Sequence, residues 1–324
     1  MPNKRDNTPV SFLLLLAVTV AVSYATLQGG DIFSKERKTK SIRESVLYLA
    51  QPDSNNTEMF IADPNTISQE IATKLTDVNL PEEVKLNLIV ATHGWYEKTT
   101  WPEDLALAIK SKVNSKKWLC GWYDWRQQAK RLNPTDAAEL GRDIVGPLLG
   151  KKIAKLPENW GHIHLIGHSA GAWVISEAAK IIAKETNATI HLTFLDAYIP
   201  PFWHEKELGD FTDDPNVSYW ADHYFTRDLT LIATGRRLTH AHNINLTDVN
   251  PGFNDHEFPR YWYHATVIGR YAAGQRYEGK ELFNTSEGIK YGFPRALEAG
   301  RQNWQANTAI KHANEPVKIK RAKK

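Results

Sequence analysis

The sequence predicts an α/β fold in which helices cover both faces of a mostly parallel β-sheet. Between residues 86 and 196, short apolar segments typical of buried strands alternate with segments of helical periodicity. This alternation favours parallel strand pairing through helical crossovers. The chain has 324 residues, 42% of them hydrophobic and 10% aromatic, which is enough apolar material for a full core. Because ligands of such sheets bind at the carboxyl ends of the strands, residues that directly follow predicted strands are candidates for a functional site.

The elements that precede the central motif of the chain follow from apolar periodicity and turn residues. Strands are predicted at residues 45–51, 57–62, 86–92 and 118–125, and helices near residues 68–75, 102–113 and 136–155. The last of these helices contains Pro147, which lacks an N–H donor and is therefore expected to bend or break it.

Residues 162–173 carry the most informative motif of the sequence. A short apolar strand leads into Gly167-His168-Ser169-Ala170-Gly171, a G-x-S-x-G turn, and a helix is predicted from there to about residue 185. Glycines on both sides allow a strand to reverse into a helix without side-chain clashes. A serine held on such a turn beside a base can act as a nucleophile, and the start of the helix supplies N–H groups and partial positive charge. The context indicates that Ser169 is a nucleophile, with an ordinary strand-to-helix turn as the alternative.

An activated serine also needs an acid, which follows it along the chain in this strand-turn-helix arrangement. Asp196 ends the strand predicted at residues 190–195 and is one candidate, although aspartate is also a common capping residue in turns. Asp228, which follows the strand predicted at residues 217–225, is the alternative acid.

The base must lie beyond the acid in this chain order. His256 lies in a loop after the strand predicted at residues 240–246, where a base would reach the carboxyl ends of the strands. His264 is the alternative base, although its place on the apolar side of the following segment is more typical of a core histidine. That segment is expected to become helical through residues 267–273.

Backbone N–H groups are the expected stabilisers of an oxyanion at this site. Gly94 follows the strand at residues 86–92 and allows the backbone to turn so that the next N–H groups face the site. The N–H groups of Trp95 and Ala170 are therefore the candidates. The chemistry needs no cofactor, and the His-x-His pairs of the sequence lack further ligands in metal-site spacing, so no metal is expected.

The ends of the chain predict export. Lys4 and Arg5 precede an apolar run at residues 10–22 and then small residues, a pattern typical of a secretory signal, with an N-terminal membrane anchor as the alternative. The predicted organisation is a signal at residues 1–25, a loose linker at 26–44, a single domain at 45–310 and a basic tail at 311–324. A net charge of +3 is too small to indicate a nucleic-acid partner. The basic ends suit peripheral contact with an anionic membrane surface, and nothing in the sequence indicates an oligomeric state.

Five short motifs together resemble those of the pancreatic-lipase-type family of α/β-hydrolases. They are Thr92-His93-Gly94-Trp95, Tyr123-Asp124-Trp125, Gly167-His168-Ser169-Ala170-Gly171-Ala172, Leu195-Asp196-Ala197 and Asp255-His256. The resemblance covers roughly residues 45–275 and implies an α/β-hydrolase fold. It also implies that Asp196 rather than Asp228 is the acid, that His256 is the base, and that the substrate is a carboxylic ester.

Departures from the family pattern shape the expected substrate. Asp196 is not followed by the proline of the family motif, and a short loop at residues 250–254 stands where the family has a disulfide-bounded lid. The family's C-terminal lipid-binding domain is also expected to be absent. These differences favour an esterase or a phospholipase-like enzyme with an open site. Asp213 and Asp214 fall where the family has a calcium loop but do not reproduce its ligand pattern, so no calcium site is expected.

The sequence as a whole predicts an exported serine hydrolase of carboxylic esters, acting on lipid or other small-molecule esters. Five aromatic side chains are candidates for an acyl-binding wall, with core or surface packing as the alternative: Trp101, Tyr198, Phe202, Trp203 and Phe253. Two other functions remain open. One is a non-catalytic exported binding protein on the same fold, and the other is an amide or peptide hydrolase, because the same three residues cleave esters and amides.

Overall fold

A computed structural model describes residues 45–50, 59–61, 85–114, 117–156, 159–210, 217–227, 233–247, 256–272, 292–294 and 317–318. The helix expected near residues 68–75 lies outside the described residues, as do the signal and linker predicted at residues 1–44. The division of the chain into signal, linker, single domain and basic tail stays a prediction.

The described residues form a nine-stranded sheet with the order β2-β1-β4-β3-β5-β6-β7-β8-β9. The strands are β1 Val46–Ala50, β2 Met59–Ile61, β3 Leu86–Thr92, β4 Trp118–Asp124, β5 Trp160–His168, β6 Thr189–Leu195, β7 Tyr219–Phe225, β8 His242–Asn245 and β9 Val317–Lys318. Strand β1 is antiparallel to both of its neighbours, and every other pair in the sheet is parallel. The chain moves one way from β3 to β4 and the other way from β5 onwards. The reversal lies at the carboxyl ends of β3 and β5, the position at which ligands of open parallel sheets bind.

The helices of the described residues connect the parallel strands. They are α1 Trp101–Lys110, α2 Arg126–Ala129, α3 Pro134–Leu140, α4 Gly146–Ala154, α5 Gly171–Glu185 and α6 Phe258–Ile268. Five residues between α3 and α4, Gly141–Val145, form a π-helical turn. The irregularity predicted at Pro147 therefore precedes the proline, which lies in the first turn of α4 where its missing N–H is not required. None of the helices in the described part of the chain is both long and apolar enough to cross a membrane.

Helix α6 differs from its prediction. Helical structure was expected through residues 267–273, but α6 begins earlier, at Phe258, and ends at Ile268. Gly269 ends it because its backbone adopts φ = 87°, in the left-handed region, and its N–H donates to Ala265 O. The helix therefore starts two residues after His256, so the start of α6 fixes where that histidine lies.

Alternate residues of the central strands face opposite sides of the sheet, and each side has its own apolar cluster. Ile163 and Leu165 of β5 pack with residues of α3, α4 and α5. Ile166 of the same strand packs with residues of α1 and α6. Helices thus cover both faces of a mostly parallel sheet, which confirms the predicted α/β-hydrolase fold class.

Candidate active site

Ser169 lies in the turn between β5 and α5. Its backbone has φ = 55°, in the left-handed region that non-glycine residues rarely occupy. Hydrogen bonds fix the turn in this conformation. The Ser169 N–H donates to Leu195 O (3.0 Å), and Ser169 O accepts from the N–H groups of Ala172 (3.1 Å) and Tyr198 (3.2 Å). A strained residue that its surroundings hold in place is typical of a functional turn.

Close backbone contacts explain the glycines around Ser169. A Cβ atom on Gly167 would lie 2.6 Å from Gly171 O, and one on Gly171 would lie 2.5 Å from His93 O. A Cβ atom on Gly94 would lie 2.7 Å from the Cβ atom of Ser169. Since real Cβ atoms do not approach other atoms so closely, the strand reversal and the contact between the loops after β3 and β5 both require glycine.

Asp196 and His256 form a direct hydrogen bond at the carboxyl end of β6. His256 Nδ1 lies 2.6 Å from Asp196 Oδ2, and the other carboxylate oxygen accepts from the Gly235 N–H at 3.0 Å. The Asp196 side chain is fully buried, whereas that of His256 is 22% exposed. Because a carboxylate only accepts hydrogen bonds, Nδ1 of His256 carries a proton. In the neutral ring this leaves Nε2 as an acceptor, the state that a general base needs.

His168 connects His256 to the turn of Ser169. Its Nε2–H donates to the backbone oxygen of His256 at 3.1 Å, and the two imidazole rings lie 4.7 Å apart. Burial and the neighbouring His256 hold the pKa of His168 well below its ordinary value, so this ring is neutral. In the described part of the chain, the hydrogen bonds of His256 run to Asp196 and His168 and not to Ser169. Such contacts to the nucleophile often tighten only when substrate is bound.

The loop after β3 is anchored on the opposite side of Ser169. The His93 ring is stacked on Trp125, accepts from the Trp125 N–H at Nε2 (3.1 Å), and its backbone oxygen accepts from Trp125 Nε1 (2.9 Å). Tyr96 follows with φ = 52° and donates its N–H to Ala129 O. Among the described residues, no acceptor engages the N–H group of Trp95 or Ala170. The role of these two N–H groups as oxyanion donors stays a prediction.

The other residues predicted to belong to the site either lie outside the described residues or differ in burial and contacts. Asp228, Phe253, Asp213 and Asp214 lie outside the described residues. His264 is buried in α6, where burial lowers its pKa, as expected of a core histidine. The aromatic residues proposed to line an acyl-binding site differ in exposure. Trp101 is buried, and Phe202 is 98% exposed. The hydroxyl groups of Tyr198 and Thr135 share a hydrogen bond, and the Trp203 ring packs on Trp173.

A buried ion pair near the site was not anticipated from the sequence. Arg260 in the first turn of α6 binds Glu97, which follows Trp95 in the loop after β3. The two residues are 163 positions apart, so no local pattern could pair them. The only sequence signal was at Arg260, a charged residue between apolar and aromatic neighbours, whereas Glu97 is followed by polar residues.

The chain is similar to two lipases and to one solved esterase structure. Bovine (Bos taurus) and sheep (Ovis aries) lipoprotein lipase are each 25% identical to the chain over 233 residues, which is 66% of this chain and 44% of each lipase. The chain thus spans less than half the length of these relatives. A thermophilic esterase from the Planctomycetes species Thermogutta terrifontis, Est2, is 14% identical, with 48% of this chain and 65% of that chain covered and a TM-score of 0.27.

A family comparison covers most of the region that the structure describes. The model of the family described as Lipase matches residues 24–231, which include β1 to β7 and the turn of Ser169. Since this match spans more than half of the 324 residues, the chain belongs to the Lipase family.

Proposed function

We propose that the protein is a serine hydrolase that cleaves carboxylic esters, with lipid or other fatty-acyl esters as substrates. Membership of the Lipase family supports the class of reaction. The observation that carries the proposal is the 2.6 Å contact between His256 Nδ1 and Asp196 Oδ2 next to the strained turn of Ser169. A base that a buried carboxylate orients beside a serine is the arrangement that nucleophilic acyl transfer needs.

In the proposed mechanism, Ser169 Oγ attacks the acyl carbon while His256 Nε2 accepts the serine proton. The same proton then passes to the oxygen of the leaving alcohol, and an acyl-serine remains. Water that His256 deprotonates attacks this acyl group, the acyl–Oγ bond breaks as His256 returns the proton to Ser169 Oγ, and the carboxylic acid is released. Throughout, Asp196 keeps Nδ1 of His256 protonated and stabilises the imidazolium that forms.

The oxyanion of each tetrahedral intermediate would accept hydrogen bonds from Trp95 N–H and Ala170 N–H. The position of Gly94 supports this assignment, because a Cβ atom there would lie 3.2 Å from Ala170 N and 2.7 Å from Ser169 Cβ. The loop that carries Trp95 therefore passes directly beside the serine. Donors that are fixed before substrate binds stabilise the developing charge without reorganising.

Exposed apolar side chains support a fatty-acyl substrate. Trp95 and Tyr96, which follow β3, are 38% and 43% exposed, and Phe202, which follows β6, is 98% exposed. The backbone of Phe202 has φ = 70°, in the left-handed region that non-glycine residues rarely adopt, while its side chain is surrounded by solvent. Apolar side chains at the carboxyl ends of the strands would give an acyl chain a surface to contact as it enters.

Labelling with a fluorophosphonate tests the proposal first. This reagent phosphonylates serines that a base and an oxyanion hole activate, so we expect the label on Ser169, located by peptide mapping, and its loss in Ser169→Ala. Before labelling, the protein should hydrolyse medium-chain or long-chain p-nitrophenyl esters but not the matching anilides, and labelling should abolish this activity. A well-folded protein without label would contradict the proposal and favour a non-catalytic binding protein, while cleavage of the anilides would favour an amidase.

A further inference from the structure

A buried ion pair joins the two loops that carry the proposed oxyanion donor and the proposed base. Glu97 lies two residues after Trp95, and Arg260 lies four residues after His256. Arg260 Nη1 is 2.5 Å from Glu97 Oε2, and the two side chains are only 2% and 8% exposed. The pair is thus a direct link between the segment after β3 and the start of α6.

Glu97 organises its own loop as well as binding Arg260. Its Oε1 accepts from the backbone N–H groups of Lys98 (2.9 Å) and Thr99 (2.8 Å) and from the Thr99 hydroxyl. Its Oε2 accepts from Trp101 Nε1 at 2.9 Å in addition to Arg260. Its contacts to residues 98, 99 and 101 therefore fix the conformation of the chain between Trp95 and the start of α1.

Arg260 organises the other loop. Its Nη2 lies 2.9 Å from Glu257 Oε2, and Glu257 is the residue next to His256. Trp101 donates its Nε1–H to Glu97, and its ring contacts the His168 ring edge-on with centroids 5.9 Å apart. His168 in turn donates a hydrogen bond to the backbone oxygen of His256. Two routes of direct contacts, one through Glu257 and one through Trp101 and His168, thus connect Glu97 to His256.

We propose that Glu97 and Arg260 are positioning residues that hold the Trp95 N–H group and His256 in register on opposite sides of Ser169. The inference rests on the proposed function and adds a requirement for it. Neither side chain touches the reacting atoms. Their effect is transmitted through the loops, where a displacement of about 1 Å is enough to slow a reaction by on the order of 100-fold.

Electrostatics favour a positioning role over simple packing. An apolar pair of similar volume would fill the same space without the desolvation penalty of two buried charges. Burial raises the pKa of Glu97, but Arg260 and the hydrogen bonds of residues 98 and 99 outweigh this and lower it below its ordinary value. Burial likewise lowers the pKa of Arg260, but Glu97 and Glu257 outweigh it and raise the pKa. Both groups therefore stay charged. Their hydrogen bond fixes the relative orientation of the two side chains, which an apolar contact does not do.

A double-mutant cycle with kinetic readouts tests the proposal. The variants are Glu97→Gln, Arg260→Lys and the two combined, in the full chain, each assayed for kcat and KM on one p-nitrophenyl ester and for the rate of fluorophosphonate labelling. We expect each single variant to lower kcat by on the order of 10- to 100-fold with KM within about threefold, because transition-state alignment rather than ground-state binding is lost. The double variant should be no slower than the slower single variant, since both remove the same link.

Two controls make the cycle decisive. Glu177→Gln removes the same carboxylate from the Lys180–Glu177 ion pair on α5, away from the site, and should leave kcat unchanged. Circular dichroism and thermal unfolding define the temperature range in which each variant is folded, and kinetics are compared within it. Folded Glu97→Gln and Arg260→Lys variants with wild-type kcat would overturn the proposal, as would additive losses or variants that do not fold at any temperature. An inactive, unlabelled wild-type chain would instead overturn the proposed function and this inference with it.

Discussion

Two of the places where histidine and aspartate lie together in this sheet differ in nearly every physical respect. At the carboxyl end of β6, Asp196 binds His256. In the middle of β5, β6 and β7, a second group lies on the face covered by α1 and α6. We call it the mid-sheet cluster; it consists of His162, His164, His191, Thr193 and Asp222.

The mid-sheet cluster pairs some of its polar groups with each other, whereas His162 Nε2 and His191 Nδ1 have no hydrogen-bond partner among the described residues. Thr193 Oγ1 lies 2.8 Å from His164 Nε2 and donates to Asp222 Oδ1 at 2.6 Å. The rings of His164 and His191 are stacked with centroids 3.8 Å apart. Burial lowers the pKa of His162 to about 3 and the pKa values of His164 and His191 well below normal. These are neutral packing residues, and within the described residues no group of three metal-ligating side chains forms.

The Asp196–His256 pair has the opposite character. His256 is partly exposed, whereas each member of the mid-sheet cluster is at most 8% exposed. Asp196 has φ = 44°, and Ser169 nearby is also in the left-handed region, whereas the mid-sheet residues lie in regular strands. The comparison teaches that residue type alone does not distinguish a candidate active site from structural packing. Position at a strand end, access to solvent and a strained backbone separate the two groups.

Exchanging the two aspartates for asparagine is the strongest way to break this comparison. Asp196→Asn should lower kcat for ester cleavage by roughly 10⁴-fold, because an amide no longer fixes the reactive tautomer of the histidine. Asp222→Asn, in the mid-sheet cluster, should leave kcat within about threefold of wild type, since the hydrogen bonds that Asp222 accepts from Thr193 and Tyr224 lie in the middle of the sheet and not at the strand ends. Steady-state kinetics on one ester substrate measure both. Equal losses in the two variants would show that the two groups do not differ in function.

A pair of glycine substitutions sharpens the same contrast along one side of the sheet. Gly94→Ala would place a methyl group 2.7 Å from Ser169 Cβ and 2.8 Å from His168 O, so the loop with Trp95 must move away. We expect kcat to fall by about 10²- to 10³-fold, the effect of losing one oxyanion donor. Gly161→Ala, at the start of β5, meets Asn87 Oδ1 and Lys85 Cβ at 3.0 Å and serves as the control. It should change the unfolding temperature but not kcat, and a comparable kcat loss there would contradict the assignment.

Much of the fold and the location of the candidate site followed from the sequence because both depend on local patterns. Strand ends are marked by where an apolar run stops, which is why Ser169 and Asp196 could be placed at neighbouring carboxyl ends. The turn glycines were also readable, since Gly167 and Gly171 are required by contacts within a few residues or with an adjacent strand. The structure brings Asp196 and His256 together as expected, while their catalytic roles stay predictions.

The features that could not be predicted from the sequence depend on contacts between distant residues or on the backbone conformation that one residue or turn adopts. The Glu97–Arg260 pair spans 163 positions, and the contacts of Thr193 with Asp222 exist only because β6 and β7 align in one register. The end of α6 was misplaced because apolar periodicity continues past Ile268, while Gly269 adopts a left-handed conformation that stops the helix. The π-helical turn at Gly141–Val145 likewise has no local apolar signature.

The pH dependence of stability gives a smaller but separate test of the mid-sheet cluster. A histidine in the unfolded chain protonates near pH 6.5, whereas His162 in the folded protein stays neutral down to a pKa of about 3. Between these values the unfolded state binds more protons, so the free energy of unfolding falls as the pH falls, by about 1.4 kcal/mol per pH unit for this residue. The loss begins below pH 6.5 and is complete near pH 3.

The substitution His162→Phe isolates that contribution. Phenylalanine retains an aromatic ring against Trp118 and Trp220, which lie 5.5 and 5.0 Å from the histidine ring, and removes the buried Nε2 that has no partner within the described residues. Urea unfolding at pH 6.0, 5.0 and 4.5 should therefore show a slope shallower than wild type by about 1.4 kcal/mol per pH unit. Ester cleavage at pH 7 should be unchanged, because the ring lies far from the strand ends. An unchanged slope would mean that folding does not lower the pKa of His162. The distinction between the mid-sheet cluster and the proposed Asp196–His256 pair would then have to rest on geometry alone.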